Sequence, residues 1–390
     1  MEIVHNFLLN FRLAYRNIIS AGLRTWLTIT TLAFAFLLIL FFNSLYTGWE
    51  YQGIRDQIDW EYADGQIIQT DYDKLDPFSI ESGHAQMLDQ PQLTPVLIRQ
   101  GNLYPQGRLL PILIKGISVD QQIVKLPTAA FSQSKDDIPA IIGDGMATDN
   151  HLKIGDQILL RWKDKNGTFD AKQITIVDIF KTNVPTVDGG QIWVDIHTLW
   201  EMTGMQNEAN YHLVKGTFED NLSDQWRFES QQELLKEFVA MVDMKKGSSA
   251  FLYIILMFIA LIAIFDSQVF SVFKRQKEIG TYIALGFTKK RVTFLFTLEG
   301  TMYAFIATII GTAISVPLIT WLGVEGVDLG NQDQSRQMGV TVGEKLYPML
   351  TSGLLFSSVF WVILLSTIVS YLPVRKIAKM NTVDALKGKK

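Results

Sequence analysis

Residues 271–300 read SVFKRQKEIGTYIALGFTKKRVTFLFTLEG. Lys274, Arg275 and Lys277 open this stretch, Lys289, Lys290 and Arg291 close its middle, and long apolar runs flank both sides. Charge at this density does not sit in hydrocarbon, so the stretch is a corner between two membrane spans. Lys277–Leu285 has the spacing of a short helix with Ile279, Tyr282 and Ile283 on one face. Gly286 suits the left-handed position that stops a helix, and Thr288 suits the cap of the next one. From the residues alone, a helix-break-helix corner and a plain basic hairpin both remain open.

Outward from this corner, hydropathy predicts four transmembrane helices: 26–45, 250–273, 292–322 and 349–372. Roughly 20 apolar residues at about 1.5 Å each cross a hydrocarbon core of about 30 Å, so each run is long enough. The third holds Gly311 and Pro317 and is expected to kink, tilt or end before Trp321. The remaining segments are a cytoplasmic amphipathic N-terminal helix (1–25), a large interposed domain (46–249), the corner (274–291), a polar outer loop (323–348) and a tail (373–390). The first span is too long in its apolar core for a cleaved signal peptide.

Charge orients this layout. Arg12, Arg16 and Arg24 precede the first span, six basic residues lie in the corner, and six more follow the fourth span. The acidic residues in those three flanks are Glu2, Glu278 and Asp384. Tyr46–Ser249, by contrast, carries 18 basic and 30 acidic residues. The positive-inside rule therefore predicts a multi-pass membrane protein with both termini cytoplasmic and the large domain outside.

The interposed domain mixes helix and strand signals and reads as α+β. Gln157–Trp162, Ile174–Ile179 and Gln191–Val194 are predicted strands, and Pro95–Arg99 and Leu109–Ile114 are predicted to pair across a turn. Ala140–Leu152, Ile196–Met205 and Ser230–Met241 are predicted helices. There is no cysteine, so neither disulfides nor thiol chemistry contribute. The five histidines, His5, His84, His151, His197 and His212, lack metal-ligand spacing. The only Gly-Lys pair, Gly388–Lys389, is no phosphate-binding loop. No catalytic constellation is visible, so the chain is not expected to be an enzyme.

Two carboxylates, Asp266 and Glu299, lie roughly 10 Å inside their spans at the corner end. A charge there is costly and must face protein, find a partner or be neutral. A proton-linked hinge is one reading. The preferred one is interhelical bonding, with Glu299 held by Lys290 or Arg291.

The corner resembles the permease domain shared by the cell-division FtsX, efflux MacB and lipoprotein-releasing LolC/LolE families. The matching residues are Arg275, Glu278, Ile279, Gly280, Ala284, Gly286, Lys290, Arg291 and Glu299. The tail is similar through Pro373, Ala378, Val383, Ala385 and Leu386, and the opening through Arg16, Asn17, Arg24 and Thr28. Asp266 departs from the asparagine common in relatives.

The resemblance implies a type VII ABC transporter permease. Two permease chains, alike or different, would pair with a dimeric ABC ATPase that carries ATP and Mg. Arg275, Lys277, Glu278, Ile279, Gly280, Ala284, Leu285 and Gly286 would form the coupling helix. Mechanotransmission would move the outer domains to extract or export a lipoprotein or another amphiphile from membrane lipid. Phe34, Phe36, Phe41 and Phe42 would be candidates to line an acyl-chain cavity. The alternatives are an FtsX-like transducer acting on a periplasmic enzyme and a MacB-like efflux permease. A proton-coupled carrier through Asp266 and Glu299 fits poorly, since four spans show no repeated half. No nucleic-acid partner is implied.

Overall fold

The computed structural model describes residues 22–133, 138–218, 222–328 and 345–375. Most of the predicted N-terminal helix, most of the predicted outer loop and the tail beyond Arg375 lie outside these. So do the motif residues Arg12, Arg16, Asn17, Ala378, Val383, Ala385 and Leu386. In chain order the principal elements are α1 (Leu23–Gln57), β1 (Gly65–Gln69), β2 (Leu93–Leu103), β3 (Leu110–Ile117), β4 (Ile138–Gly143), α2 (Asp144–Asn150), β5 (Gln157–Lys163) and β6 (Phe169–Phe180). There follow β7 (Gln191–Asp195), α3 (Ile196–Thr203), β8 (Tyr211–Val214), β9 (Trp226–Ser230), α4 (Lys236–Lys274), α5 (Gln276–Ala284), α6 (Lys289–Glu325) and α7 (Ser352–Val374). They form two compact units. One comprises residues through Trp49, Val242–Asp328 and those from Leu346 onward; the other comprises Glu50–Met241.

In the first unit, α1, α4, α6 and α7 are each long and apolar enough to cross a membrane. α1 and α6 supply the buried seam: Ile29, Leu32, Phe36 and Leu40 pack with Tyr303, Ala304 and Ala307. α4 and α7 leave most of their apolar surface exposed, as lipid-facing helices do. Close approach is set by Gly300, where a Cβ would lie 2.2 Å from Ser370 Oγ and 2.7 Å from Gln268 Nε2. Small residues at such crossings let helices dock through backbone where burial in lipid gives no drive. α6 does not end before Trp321 but runs as helix through Pro317 to Glu325, and its end is marked by Gly326 at φ 78°. α1 and α4 also extend well past the apolar runs: the helix predicted at Ser230–Met241 flows into α4 after the short turn Gln231–Leu234.

The second unit is built on a nine-stranded sheet in the order β9-β1-β8-β2-β3-β7-β4-β6-β5. Its last strand returns to pair with β2, Leu103 opposite Leu160 and Gly101 opposite Trp162. That pairing closes β2-β3-β7-β4-β6-β5 into a six-stranded mixed barrel, while β8, β1 and β9 extend from the first half of β2. The barrel core is aliphatic, with Leu97, Ile114, Ile142, Leu160, Ile176 and Val194 all buried. The predicted helix Ala140–Leu152 is corrected here: Ile138–Gly143 is a strand buried along its whole length, and only Asp144–Asn150 is helical. The run IPAIIG has β-branched residues and a proline, and its position between β6 and β7 outweighs the helical spacing.

His212 on β8 is fully buried in this unit, edge-on to Trp226 at 4.7 Å. The Leu88 N–H donates to its Nε2 at 3.0 Å, so protonation there would remove an acceptor. Burial lowers its pKa to about 4, against an ordinary value of about 6.5. Below pH 6.5 the unfolded chain takes up a proton that the folded chain refuses, so stability falls with pH and levels off below about 4. Hydrogen exchange at β1 and β8, corrected for intrinsic rate, should show protection falling over that window by about 3 kcal/mol. His212→Gln should remove this contribution to the pH dependence.

Candidate functional site

The corner helix α5 is held at both ends and from beneath. At its C-terminus the Phe287 N–H donates to the Tyr282 carbonyl at 3.0 Å and the Gly286 N–H to the Ile283 carbonyl at 3.1 Å. These are the two bonds of a Schellman cap, with the accompanying apolar contact made by the Tyr282 and Phe287 rings at 5.6 Å. The cap requires the left-handed backbone that Gly286 adopts at φ 94°. Thr288 then caps α6, its Oγ1 accepting from the Arg291 N–H. Beneath the helix, Ile279 is fully buried with Val272, Val292, Phe296 and Val374. Gly280 is buried beside it, whereas Lys277, Glu278, Ala284, Leu285 and Gly286 are exposed. Leu285, a large apolar side chain, is 73% exposed.

Arg275 ties this corner to the membrane helices. Its Nη1 donates to both carboxylate oxygens of Glu299, at 2.9 and 3.2 Å, and its Nε donates to Glu278 Oε2 at 2.6 Å. The guanidinium lies over the Phe296 ring at 4.8 Å. Glu299 is only 3% exposed, so this charge is compensated where solvent is scarce. The sequence reading looked to Lys290 or Arg291 for this role; the structure supplies Arg275. The arginine thus joins α6 to the first turn of α5 through one planar group.

Asp266 is placed differently. It pairs with Arg24 at the start of α1, and both side chains are partly exposed. Arg24 also lies over the Phe270 ring at 4.4 Å. A cavity of about 410 Å³ opens between the two ion pairs, lined among others by Arg24, Ser267, Lys274, Arg275, Glu299 and Tyr303. From the sequence Arg24 is an orienting charge and a residue of the family-like opening, with no partner assigned. Its opposite sign to Asp266, at matching ends of two spans, is the signal that would have paired them.

The four phenylalanines do not share one environment. Phe36 is fully buried against α6, Phe34 is 59% exposed, and Phe41 and Phe42 are half-buried with their rings in edge contact at 5.5 Å. Among the described residues no cluster of histidine and acidic side chains could hold a metal ion.

Breaking the Arg275–Glu299 pair from one side strands a buried charge. Arg275→Met, which leaves Glu299 buried without its guanidinium, should destabilise the membrane unit by about 3–5 kcal/mol, while the double change Arg275→Met with Glu299→Leu should recover much of that loss. Thermal unfolding of the full chain in detergent, followed for each variant, measures both.

Residues 250–382 match the family model described as FtsX-like permease C-terminal. Among solved structures, the chain is similar to the periplasmic region of MacB from Actinobacillus actinomycetemcomitans, with 12% identity, 48% of this chain and 98% of that chain covered, and a TM-score of 0.31. It is also similar to the extracellular domain of the noncanonic ABC-type transporter YknZ from Gram-positive bacteria, with 12% identity, coverage of 39% and 83%, and a TM-score of 0.26. No curated protein matches the chain. The matched segment begins in α4 and takes in the corner helix, its arginine fork and α6. Over residues 250–382 the chain is thus similar to the C-terminal domain of the FtsX-like permeases.

Proposed function

We propose that this chain is the permease subunit of an ABC transporter whose ATPase is a separate polypeptide, with α5 as the element that receives the motor's motion. The observation that carries the reading is the construction of α5: capped by Gly286, seated on Ile279 and joined to α6 through Arg275. A short helix fixed in this way moves as a body with the spans. Its exposed face, Lys277, Glu278, Ala284 and Leu285, is the surface offered to a partner. ATP and Mg would be held by that partner.

In this reading the corner and both termini are cytoplasmic and the Glu50–Met241 unit stands in the periplasm, at the inner membrane of a bacterium. The basic corner and the acidic interposed unit support that orientation. Closure of the ATPase would tilt the spans and move the outer unit by mechanotransmission. The work done would be extraction or export of a lipoprotein or another amphiphile. Two such chains, identical or related, would flank the motor, and the exposed apolar faces of α4 and α7 would be available to lipid or to that second chain.

Purification of the tagged chain from its native membrane in mild detergent should bring down an ABC ATPase. Repeated failure in several detergents would end the proposal. Gly286→Val forces a β-branched residue into the left-handed region and should unravel the cap. That variant and Glu278→Ala should keep the ATPase bound, yet reduce permease-dependent stimulation of ATP hydrolysis in nanodiscs by about tenfold. Stimulation equal to wild type in both would remove α5 from the coupling role.

A further inference from the structure

The Glu50–Met241 unit carries 94% of Arg99 out of solvent without giving it a carboxylate. Arg99 lies on β2 and is 6% exposed. Its Nη1 donates to the Ile80 carbonyl at 3.3 Å, while its Nε has no partner among the described residues. No acidic side chain forms an ion pair with it among those residues. Burial accordingly lowers its pKa from the usual guanidinium value, with Glu81 and Glu208 opposing the shift from farther away. A buried cation left in this state is costly, and structures that retain one commonly supply an anion from elsewhere.

Arg99 borders a cavity of about 540 Å³, within the range of about 300–1,000 Å³ typical of small-molecule sites. Arg161 and Lys163 from β5 line the same cavity. Arg161 is placed there by the strand pairing that closes the barrel, where it stands opposite Asn102. Its guanidinium lies over the Phe169 ring at 4.2 Å. Lys163 is paired with Glu81 at 3.2 Å. The lining therefore holds three cations and one acid, and two of the cations are arginines without an ion pair among the described residues. This positive cavity lies in the stretch of the chain with a large acidic excess, 30 acidic residues against 18 basic. Its remaining wall combines apolar residues, among them Ile80, Pro111 and Phe169, with the polar Gln100 and Asn102.

We infer that this cavity binds a small amphiphilic anion, its carboxylate or phosphate held by Arg99 and Arg161 and its apolar part lying against Pro111 and Phe169. The site rests on the geometry of this unit and does not depend on the coupling role of α5. Arginine suits the task because its planar fork meets two oxygens of a carboxylate or phosphate at once. The aromatic and aliphatic wall would discriminate against simple inorganic ions, which gain nothing from it.

The test uses the full chain in zwitterionic nanodiscs, titrated calorimetrically with octanoate, octyl phosphate and octanol, with empty nanodiscs subtracted. Expected is saturable binding of one anion per chain, at least about tenfold tighter than octanol, which corresponds to about 1.4 kcal/mol. The tighter of the two anions identifies the headgroup as carboxylate or phosphate. Arg99→Met and Arg161→Gln should each weaken binding at least tenfold. Arg161 is exposed, so Arg161→Gln tests the site even where Arg99→Met disturbs the fold. Octanol binding as tightly as both anions, absence of saturation, or wild-type affinity in Arg161→Gln would overturn the assignment.

Discussion

The membrane unit turns on one guanidinium. A charged carboxylate at Glu299, ten residues into α6, needs compensation in bonding range, and Arg275 provides it with two hydrogen bonds. The same group reaches Glu278 on α5, so the requirement of a buried charge also sets the position of a surface helix. Without the fork, α5 would keep its cap and its apolar seat but lose its polar tie to α6. With it, a displacement of α5 is a displacement of α6, and the route from surface to span is a single residue long.

The surrounding parts reinforce that link. The Schellman cap closes α5 against Phe287, the next residue Thr288 caps α6, and Ile279 plugs the space between. α6 is in turn one half of the buried seam with α1, and Gly300 lets Ser370 of α7 and Gln268 of α4 approach it closely. Each contact is modest by itself. Together they make α6 the helix through which the others meet, with the corner attached to its first turns.

Much of this was legible from residue type. The four apolar runs, the glycine that ends α5 and the threonine that begins α6 are local signals, because their physics acts within a few residues. Pairings over distance were not. Arg275 meets Glu299 because two helices set their relative register, and the nearer cations Lys290 and Arg291 were the obvious candidates on spacing alone. Arg24 and Asp266 are separated by 242 positions, and neither hints at the other except by sign. In the Glu50–Met241 unit, residues 140–143 read as helix from sequence because a fully buried strand lacks the alternation that marks a half-buried one. The closure of the barrel, and with it the cavity at Arg99, depends on β2 meeting β5, which no local pattern encodes.

The chain has no cysteine, so single cysteines can be placed without background. Lys277→Cys and Ala284→Cys put a unique thiol on the exposed face of α5, and Phe258→Cys puts one on the exposed flank of α4. The most direct measurement is thiol-specific crosslinking of these three variants in native membranes, with the adducts identified by mass spectrometry. An ABC ATPase joined through positions 277 and 284, and absent from 258, is the predicted result. No ATPase adduct at either α5 position, in variants that remain folded and inserted, would contradict the account.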